Sequence, residues 1–224
     1  QAFNKILETT KDPKIKELAL VKDGSALVEM GNAEEAIKAL EELFKLYPKS
    51  AYTIDGSFYL SRTCSELGAK EADEQKRAEY FTKAIKAMSQ ASKYEKSTPG
   101  LLRIDLAVAR MWLMRAKAED QFRGKKAADY KEKAIGAYQS IVLLNNPEKP
   151  ELRLMIEDAY KESMPLFVEQ EKWDDVLENC DKYLATFSNG RYLSDVRRWR
   201  NKARMNTQGT GPKTEEDDEP SSSP

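Results

Sequence analysis

Residues 31–50 read GNAEEAIKALEELFKLYPKS, and this stretch decides the fold. Its apolar side chains recur at spacings of one, three and four residues, which predicts a single apolar stripe along a short helix. They are Ala36, Ile37, Leu40, Leu43 and Phe44. Gly31 is typical of the end of a preceding helix, and Pro48 cannot continue the new one. The stretch therefore predicts a turn, an amphipathic helix and a stop.

The same pattern recurs along the chain. The tetrapeptide AIKA at 36–39 returns as AIKA at 84–87, as AIGA at 134–137 and, more weakly, as VLEN at 176–179. LVEMGNAEEAIKAL at 27–40 aligns without a gap on FVEQEKWDDVLENC at 167–180. A period of about 20–50 residues with one helical pair per repeat is typical of a solenoid. The sequence therefore predicts an all-α array of about four helical hairpins.

Glycine, asparagine and proline stops set the predicted boundaries. A solenoid domain spans 1–206, with a leading half-repeat, hairpins at about 14–50, 51–97, 98–147 and 150–188, and a capping helix at 191–206. Gly24 lies inside a helix, where a close helix–helix contact would explain it, and Gly68 and Gly124 are predicted to end helices. Predicted core positions are Leu27, Ala36, Leu40, Phe44, Leu60, Ile85, Leu113, Ala134, Ile141 and Leu184.

Composition argues against catalysis and against a metal site. The chain of 224 residues contains no histidine, which is the commonest general base and the commonest zinc ligand. Its two cysteines, Cys64 and Cys180, fall in different repeats, and the carboxylates along the helices stand three or four residues from lysines as solvated pairs. No apolar run is long enough to span a membrane. We expect no catalytic residues, no cofactor and no metal.

Charge is concentrated at the C-terminal end of the sequence. Residues 207–224 carry a charge of −4 and are expected to form an acidic flexible tail, since their composition cannot bury a core. Just before them lies a basic patch of Arg191, Arg197, Arg198, Arg200, Lys202 and Arg204. Three hypotheses remain for this patch. It contacts nucleic acid, or it holds the acidic tail. In the third, it belongs to a capping helix that packs Val196, Trp199 and Ala203 inward.

Several of these residues match the tetratricopeptide repeat (TPR) family. The matching positions are Gly24, Leu27, Gly31, Ala36, Leu40 and Pro48, whose spacing resembles the small, apolar and proline positions of one full repeat. The later copies are more degenerate, and their lengths exceed the usual repeat. The resemblance covers about residues 14–206 and implies a right-handed superhelical solenoid.

A narrower resemblance lies at the junctions between repeats. LFKLYPKSAYTIDGSFYLSRTCSELG at 43–68 and YLATFSNGRYLSDVRRWRNKA at 183–203 resemble junctions of TPR-like bacterial envelope proteins. These include the outer-membrane assembly lipoproteins and the Tol–Pal coordinating periplasmic protein. Membership would imply a scaffold in the bacterial periplasm or cell envelope.

The TPR resemblance also implies a binding groove, because the first helix of each TPR repeat lines the concave face. The implied groove residues are Val21, Ser25, Asp55, Phe58, Arg62, Arg103, Arg110, Trp112, Asp158 and Lys161. We therefore expect a non-enzymatic scaffold that holds a protein or peptide partner in this groove. The alternative is an RNA- or DNA-associated helical-repeat protein that uses the basic patch.

Overall fold

The computed structural model describes residues 2–208. Within them the chain forms ten α-helices and no β-strand. The helices are α1 (Ala2–Thr9), α2 (Pro13–Glu29), α3 (Ala33–Leu46), α4 (Thr53–Lys70), α5 (Glu74–Tyr94), α6 (Thr98–Gln121), α7 (Ala127–Leu144), α8 (Pro150–Glu169), α9 (Trp173–Thr186) and α10 (Leu193–Gln208). The all-α prediction is confirmed. Residues 209–224, which carry most of the predicted acidic tail, lie outside the described residues.

The chain divides into two compact units, Gln1–Ala159 and Tyr160–Pro224. The division falls inside α8, so the first unit holds α1 to α7 and the first half of α8. The second unit holds the remainder of α8 with α9 and α10. One continuous domain over 1–206 stays a prediction.

In the first unit the helices pack as sequential neighbours. Consecutive helices contact one another from α1 through to α7, and α4 also contacts α2 and α6. The first helices of three successive predicted hairpins are therefore adjacent to one another. Stacked helical hairpins require such contacts, because each pair buries its apolar face against its neighbours.

Glycines let these helices approach closely. A Cβ atom on Gly24 would lie 2.6 Å from the side chain of Leu40, which confirms the predicted close contact between α2 and α3. A Cβ atom on Gly68 would lie 3.0 Å from the ring of Phe81 in α5. The prediction that Gly68 ends its helix is wrong, because α4 continues to Lys70 and this glycine admits a neighbouring ring.

The predicted core is half right. Five of the ten positions are buried, namely Ala36, Leu40, Leu60, Ala134 and Ile141. The remaining five are half-buried, namely Leu27, Phe44, Ile85, Leu113 and Leu184. A helix with one buried stripe has positions at the border of the stripe that stay partly exposed. Spacings of three and four residues do not distinguish these border positions from the central, buried ones.

The turn after α2 recurs after α8. Gly31 has a φ of 79° and Glu171 a φ of 54°, both in the left-handed region. The amide of Asn32 donates to the carbonyl of Leu27 at 2.9 Å, and the amide of Lys172 donates to that of Phe167 at 3.0 Å. Both turns are Schellman motifs. The structure thus confirms the gapless alignment of the first and fourth repeats at this turn.

The second unit is built on an aromatic cluster. Tyr160 from α8 and Tyr183 from α9 meet edge-on with ring centroids 5.5 Å apart, and Phe187 lies 4.9 Å from Tyr183. Helix α10 packs on α9 and buries Val196 and Ala203 completely. The half-buried Trp199 completes this stripe, so the predicted inward face of this helix is confirmed, whereas its role as the cap of an array stays a prediction.

Candidate partner-binding surface

Two predicted groove residues meet on neighbouring first helices. Phe58 of α4 is half-buried and Arg103 of α6 is exposed, and the guanidinium carbon of Arg103 lies 4.1 Å from the centroid of the Phe58 ring. A cation at this distance is attracted by the face of the ring. This contact places the apolar ring of Phe58 beside the positive charge of Arg103, where α4 packs against α6.

A shallow depression of about 480 Å³ lies next to this pair. The predicted residues Asp55 and Arg103 both line it, so the structure brings Asp55, Phe58 and Arg103 into one region. The other lining residues are Ala51, Ile54, Glu95, Ser97, Pro99, Gly100 and Met155. The depression combines apolar side chains with one basic and two acidic groups. We call it, together with Phe58, the α4–α6 surface.

Glu95 supplies one of the acidic groups of the α4–α6 surface. Its carboxylate accepts hydrogen bonds at 2.8 Å from the amide and the hydroxyl of Ser97 and from the amide of Lys96. The backbone hydrogen bond from Ser97 is the main reason that the pKa of Glu95 is lowered. Ser97 also caps α6, since its hydroxyl accepts from the amide of Gly100 at 3.1 Å. Glu95 is therefore held ionised beside the start of α6.

Two other arginines of the predicted groove form ion pairs with nearby carboxylates. Arg62 of α4 pairs with Glu66 at 2.9 Å, and the hydrogen bond from that pair raises the pKa of the guanidinium. Arg110 of α6 lies 3.5 Å from the carboxylate of Asp158. Arg62 and Arg110 are exposed, so both pairs are open to exchange with the charges of a partner.

The remaining groove predictions fall elsewhere. Val21 is buried in a cluster with Leu20 and Leu43 and presents no surface, because α2 turns this position toward α3. Ser25 is half-buried and donates to the carbonyl of Lys22 at 3.0 Å.

Trp112 also departs from the groove prediction. Its ring stacks on Tyr130 of α7 with centroids 5.8 Å apart, and the ammonium of Lys133 lies 4.7 Å from it. It packs between α6 and α7 and lies outside the α4–α6 surface. Lys161 belongs to the second unit, where its ammonium lies 5.3 Å from the ring of Tyr192.

The basic patch is partly neutralised. Arg198 pairs with Asp195 at 2.9 Å, and Arg200 lies 2.6 Å from Asp181 of α9. The ammonium of Lys202 lies 5.6 Å from the ring of Trp173, and Arg191 lies 5.0 Å from that of Tyr192. The two remaining members, Arg197 and Arg204, are exposed. Within residues 2–208 neither forms an ion pair.

The sequence analysis missed a buried ion pair in the first unit. Arg77 of α5 and Glu119 of α6 are 2% and 3% exposed, and their side chains meet at 3.2 Å. Arg77 also donates at 3.0 Å to the carbonyls of Glu71 and Ala72, and its guanidinium lies 5.1 Å from the ring of Phe122. One signal was available: Arg77 stands four and seven residues before buried positions of α5.

The end of α6 fits around this pair. Helix α6 ends at Gln121, and the left-handed residue is Arg123, with a φ of 55°. Gly124, which was predicted to end the helix, follows it, and a Cβ atom there would collide with the carboxylate of Glu119. The glycine therefore makes room for the buried carboxylate.

The described residues contain neither a metal-binding cluster nor a membrane-spanning helix. In the described part of the chain, no group of three or more cysteine, aspartate or glutamate side chains is arranged to hold a metal ion. Among the helices within residues 2–208, none is both long and apolar enough to cross a membrane.

Comparison with known proteins identified no family. No family model matches the sequence, and no curated protein matches it. Over residues 2–208 the chain is an all-helical protein of ten helices that pack mainly as sequential neighbours.

Proposed function

We propose that this chain is a non-enzymatic interaction scaffold of the TPR type, in which the helical hairpins form a right-handed solenoid that holds a partner peptide or protein. The observation that carries the proposal is the contact of the half-buried Phe58 with the exposed Arg103 on neighbouring first helices. The contacts of α4 with both α2 and α6 support the array. So does the Schellman turn repeated at Gly31 and Glu171.

The α4–α6 surface suits a peptide that carries both apolar and acidic side chains. An apolar side chain would pack on the Phe58 ring and on Ile54, and a carboxylate would pair with Arg103. Asp55 and Glu95 line the same depression and would repel a second carboxylate there, which would limit the number of acidic side chains that the peptide can present. The ion pair of Arg62 lies on the same helix and extends the polar rim.

A displayed library of random peptides tests the proposal without knowledge of the natural partner. A selected peptide is measured against the full chain by fluorescence anisotropy. Arg103→Glu should weaken binding by about tenfold or more, because it removes one charge pair and adds a repulsion. Lys86→Glu on α5 is the matched control, since Lys86 is also an exposed cation, and it should leave the affinity within about twofold.

Circular dichroism of both variants shows whether the fold is kept. If Arg103→Glu and Lys86→Glu weaken binding equally, the peptide is held by general charge and not by the α4–α6 surface. If only Lys86→Glu weakens it, the binding face is a different one.

We rank the nucleic-acid alternative second. Trp199, the one aromatic side chain of α10, is half-buried and therefore poorly placed to stack on a base. Arg198 and Arg200 face carboxylates of their own unit. Titration with a generic single-stranded oligonucleotide at several salt concentrations separates the two functions, since binding through phosphates weakens steeply as salt rises. The proposed location in a bacterial envelope rests on the junction sequences alone.

A further inference from the structure

Helix α10 presents a basic face that the capping role leaves unused. Its inner stripe packs on α9 and buries Val196 and Ala203 completely. Its outer residues recur at three- and four-residue spacings and line a shallow depression of about 670 Å³. They are Ser194, Arg197, Arg198, Asn201, Lys202, Met205 and Asn206.

Most of the charge on this outer face is open to another anion. Arg197 and Arg204 are both exposed, and neither forms an ion pair within residues 2–208. Arg204 lies one helical turn from Asn201. The partner of Arg198 is Asp195, three residues before it, and the Arg198 side chain is 73% exposed. An exposed pair of this kind exchanges easily. With Arg204, the face therefore carries four cations, namely Arg197, Arg198, Lys202 and Arg204, whereas α10 contains one carboxylate, Asp195.

The sequence that follows α10 supplies the opposite charge. Residues 215–219 read EEDDE, five consecutive acids. They follow α10 after the six residues GTGPKT at 209–214, which contain two glycines and a proline. Charge complementarity thus singles out one occupant for the face, and it belongs to the same chain.

The connection is long enough for this contact. Seven residue steps from Gln208 to Glu215 span up to roughly 23 Å when extended. The return path along α10 from Gln208 to Lys202 covers roughly 9 Å, and to Arg197 roughly 16 Å, at 1.5 Å per residue. Five extended residues also span roughly 13 Å, similar to the roughly 10 Å between Arg197 and Arg204 along the helix axis.

We propose that residues 215–219 fold back on the outer face of α10 and compete there with other polyanions. The contact is intramolecular, so its effective concentration is high although each charge pair is weak. It is also sensitive to salt. The acidic segment then acts as a built-in competitor that keeps the basic face from binding anions without selectivity.

A zero-length cross-link tests the contact directly in the full chain. A carbodiimide joins a lysine amine to a carboxylate that touches it, and Lys202 is the lysine of the outer face. We expect cross-links between Lys202 and residues 215–219 at low salt. At 0.5 M salt the cross-links should be lost, because the screening length falls to roughly 4 Å and exposed charges attract one another only weakly. Lys182, an exposed lysine of α9, is the control and should give at least about fivefold fewer cross-links to the same acids, because no row of cations guides the segment there.

Isotope labelling separates the occupants. A mixture of heavy and light chains should give cross-links within one label only. Cross-links that join heavy to light chains would show a second copy on the face and would overturn the intramolecular contact. Equal cross-linking at Lys202 and Lys182, or none at either lysine, would also overturn the proposal.

A second measurement uses heparin as the polyanion. The variant with all five acids neutralised (Glu215→Gln, Glu216→Gln, Asp217→Asn, Asp218→Asn and Glu219→Gln) should bind heparin about threefold to tenfold more tightly than the full chain at low salt. Adding Arg197→Gln and Lys202→Gln to that variant should remove the gain. A gain that persists without these two cations would place heparin elsewhere and contradict the competition.

Discussion

Residue 171 holds a backbone conformation that glycine holds at the corresponding position 31. The φ angles are 54° at Glu171 and 79° at Gly31. For a residue with a Cβ atom the left-handed region costs about 1–2 kcal/mol, and glycine loses part of that advantage through its larger backbone entropy. Glu171 therefore carries a local strain that its repeat partner avoids.

We predict that Glu171→Gly raises the free energy of unfolding by about 0.5–1 kcal/mol. The reciprocal change, Gly31→Ala, should lower it by about 1 kcal/mol, and it does so through strain alone, since a Cβ atom there would meet no neighbour within 4 Å. Urea unfolding followed by tryptophan fluorescence measures both. A destabilised Glu171→Gly would mean that the glutamate side chain makes contacts that outweigh the strain.

The buried pair of Arg77 and Glu119 yields a prediction of the opposite sign. Glu119→Ala should lower the free energy of unfolding by about 3–5 kcal/mol, because it leaves the guanidinium buried and unpaired. Glu41→Ala is the matched control: it breaks the pair of Lys83 and Glu41, which is 2.9 Å long but nearly half exposed, and should cost less than about 1 kcal/mol. Equal losses in urea unfolding would show that water reaches Arg77.

These residues show where sequence reasoning ends at this scale. Gly31 could be predicted to end a helix because glycine in that position has a local, backbone reason. The burial of Arg77 could not, since it depends on Glu119, which is 42 residues away on another helix. A charged residue without its partner is correctly expected on the surface.

At the scale of the element, two helix-interior glycines have opposite surroundings. Gly24 of α2 lies against Leu40, a fully buried side chain that has no room to withdraw. Gly136 of α7 has no neighbour within 4 Å. Alanine is a better helix former than glycine by about 1 kcal/mol at both positions, so only the packing differs.

We predict that Gly136→Ala stabilises the chain by about 0.5–1 kcal/mol. Gly24→Ala should instead destabilise it by about 1–2 kcal/mol, because forcing a methyl group into a packed core exceeds the gain in helix propensity. Thermal unfolding monitored by circular dichroism should therefore move the two melting temperatures in opposite directions. A shared direction would mean that α2 and α3 separate without cost.

The two repeat junctions share a backbone but differ in their side chains. The amides of Tyr47 and Phe187 donate to the carbonyls of Leu43 and Tyr183, each at 2.8 Å. The next hydrogen bonds are also equal in length: the amides of Ser50 and Gly190 donate to the carbonyls of Tyr47 and Phe187, each at 2.9 Å. The gapless alignment of the repeats predicted this equivalence, because both loops have the same length between helices of the same period.

The polar partner within the junction has moved from one residue to another. The amide of Tyr52 donates to the hydroxyl of Ser50 at 3.1 Å, whereas the amide of Tyr192 donates to the hydroxyl of Tyr183 at 3.1 Å. Gly190 leaves the space that the Tyr183 side chain fills. An alignment shows only serine against glycine, and the compensation becomes visible once the ring is seen in the space.

At the scale of the whole molecule, the helical order was predictable and the candidate surface only in part. Repetition of one pattern fixes which helices are equivalent, and so it predicted that Asp55, Phe58 and Arg103 belong to first helices. It did not predict that Val21 is buried or that Trp112 packs against α7. Those outcomes depend on the rotation of each helix about its own axis, which a degenerate repeat leaves undetermined.

The two cysteines report separately on the two units. Cys64 and Cys180 are fully buried, one in each unit. Burial is the main reason that the pKa of each thiol is raised to about 12. At pH 8 roughly one thiol in ten thousand would then be ionised in the folded protein, and only the thiolate attacks a disulfide reagent. Labelling must therefore proceed through opening of the surrounding helices.

We predict that Cys180 is labelled by an aromatic disulfide reagent at pH 8 at least about tenfold faster than Cys64, a difference of about 1.4 kcal/mol in the free energy of opening. The unit around Cys180 is the smaller one, and a smaller unit buries a lower share of its surface and opens more readily. Mass spectrometry of peptides after timed labelling assigns each site without mutation, and labelling in 6 M guanidinium gives the unprotected rates. Equal protected rates would show that the two units open as one cooperative domain over 1–206, while faster labelling of Cys64 would show that α4 and its neighbours are the weakest part of the array.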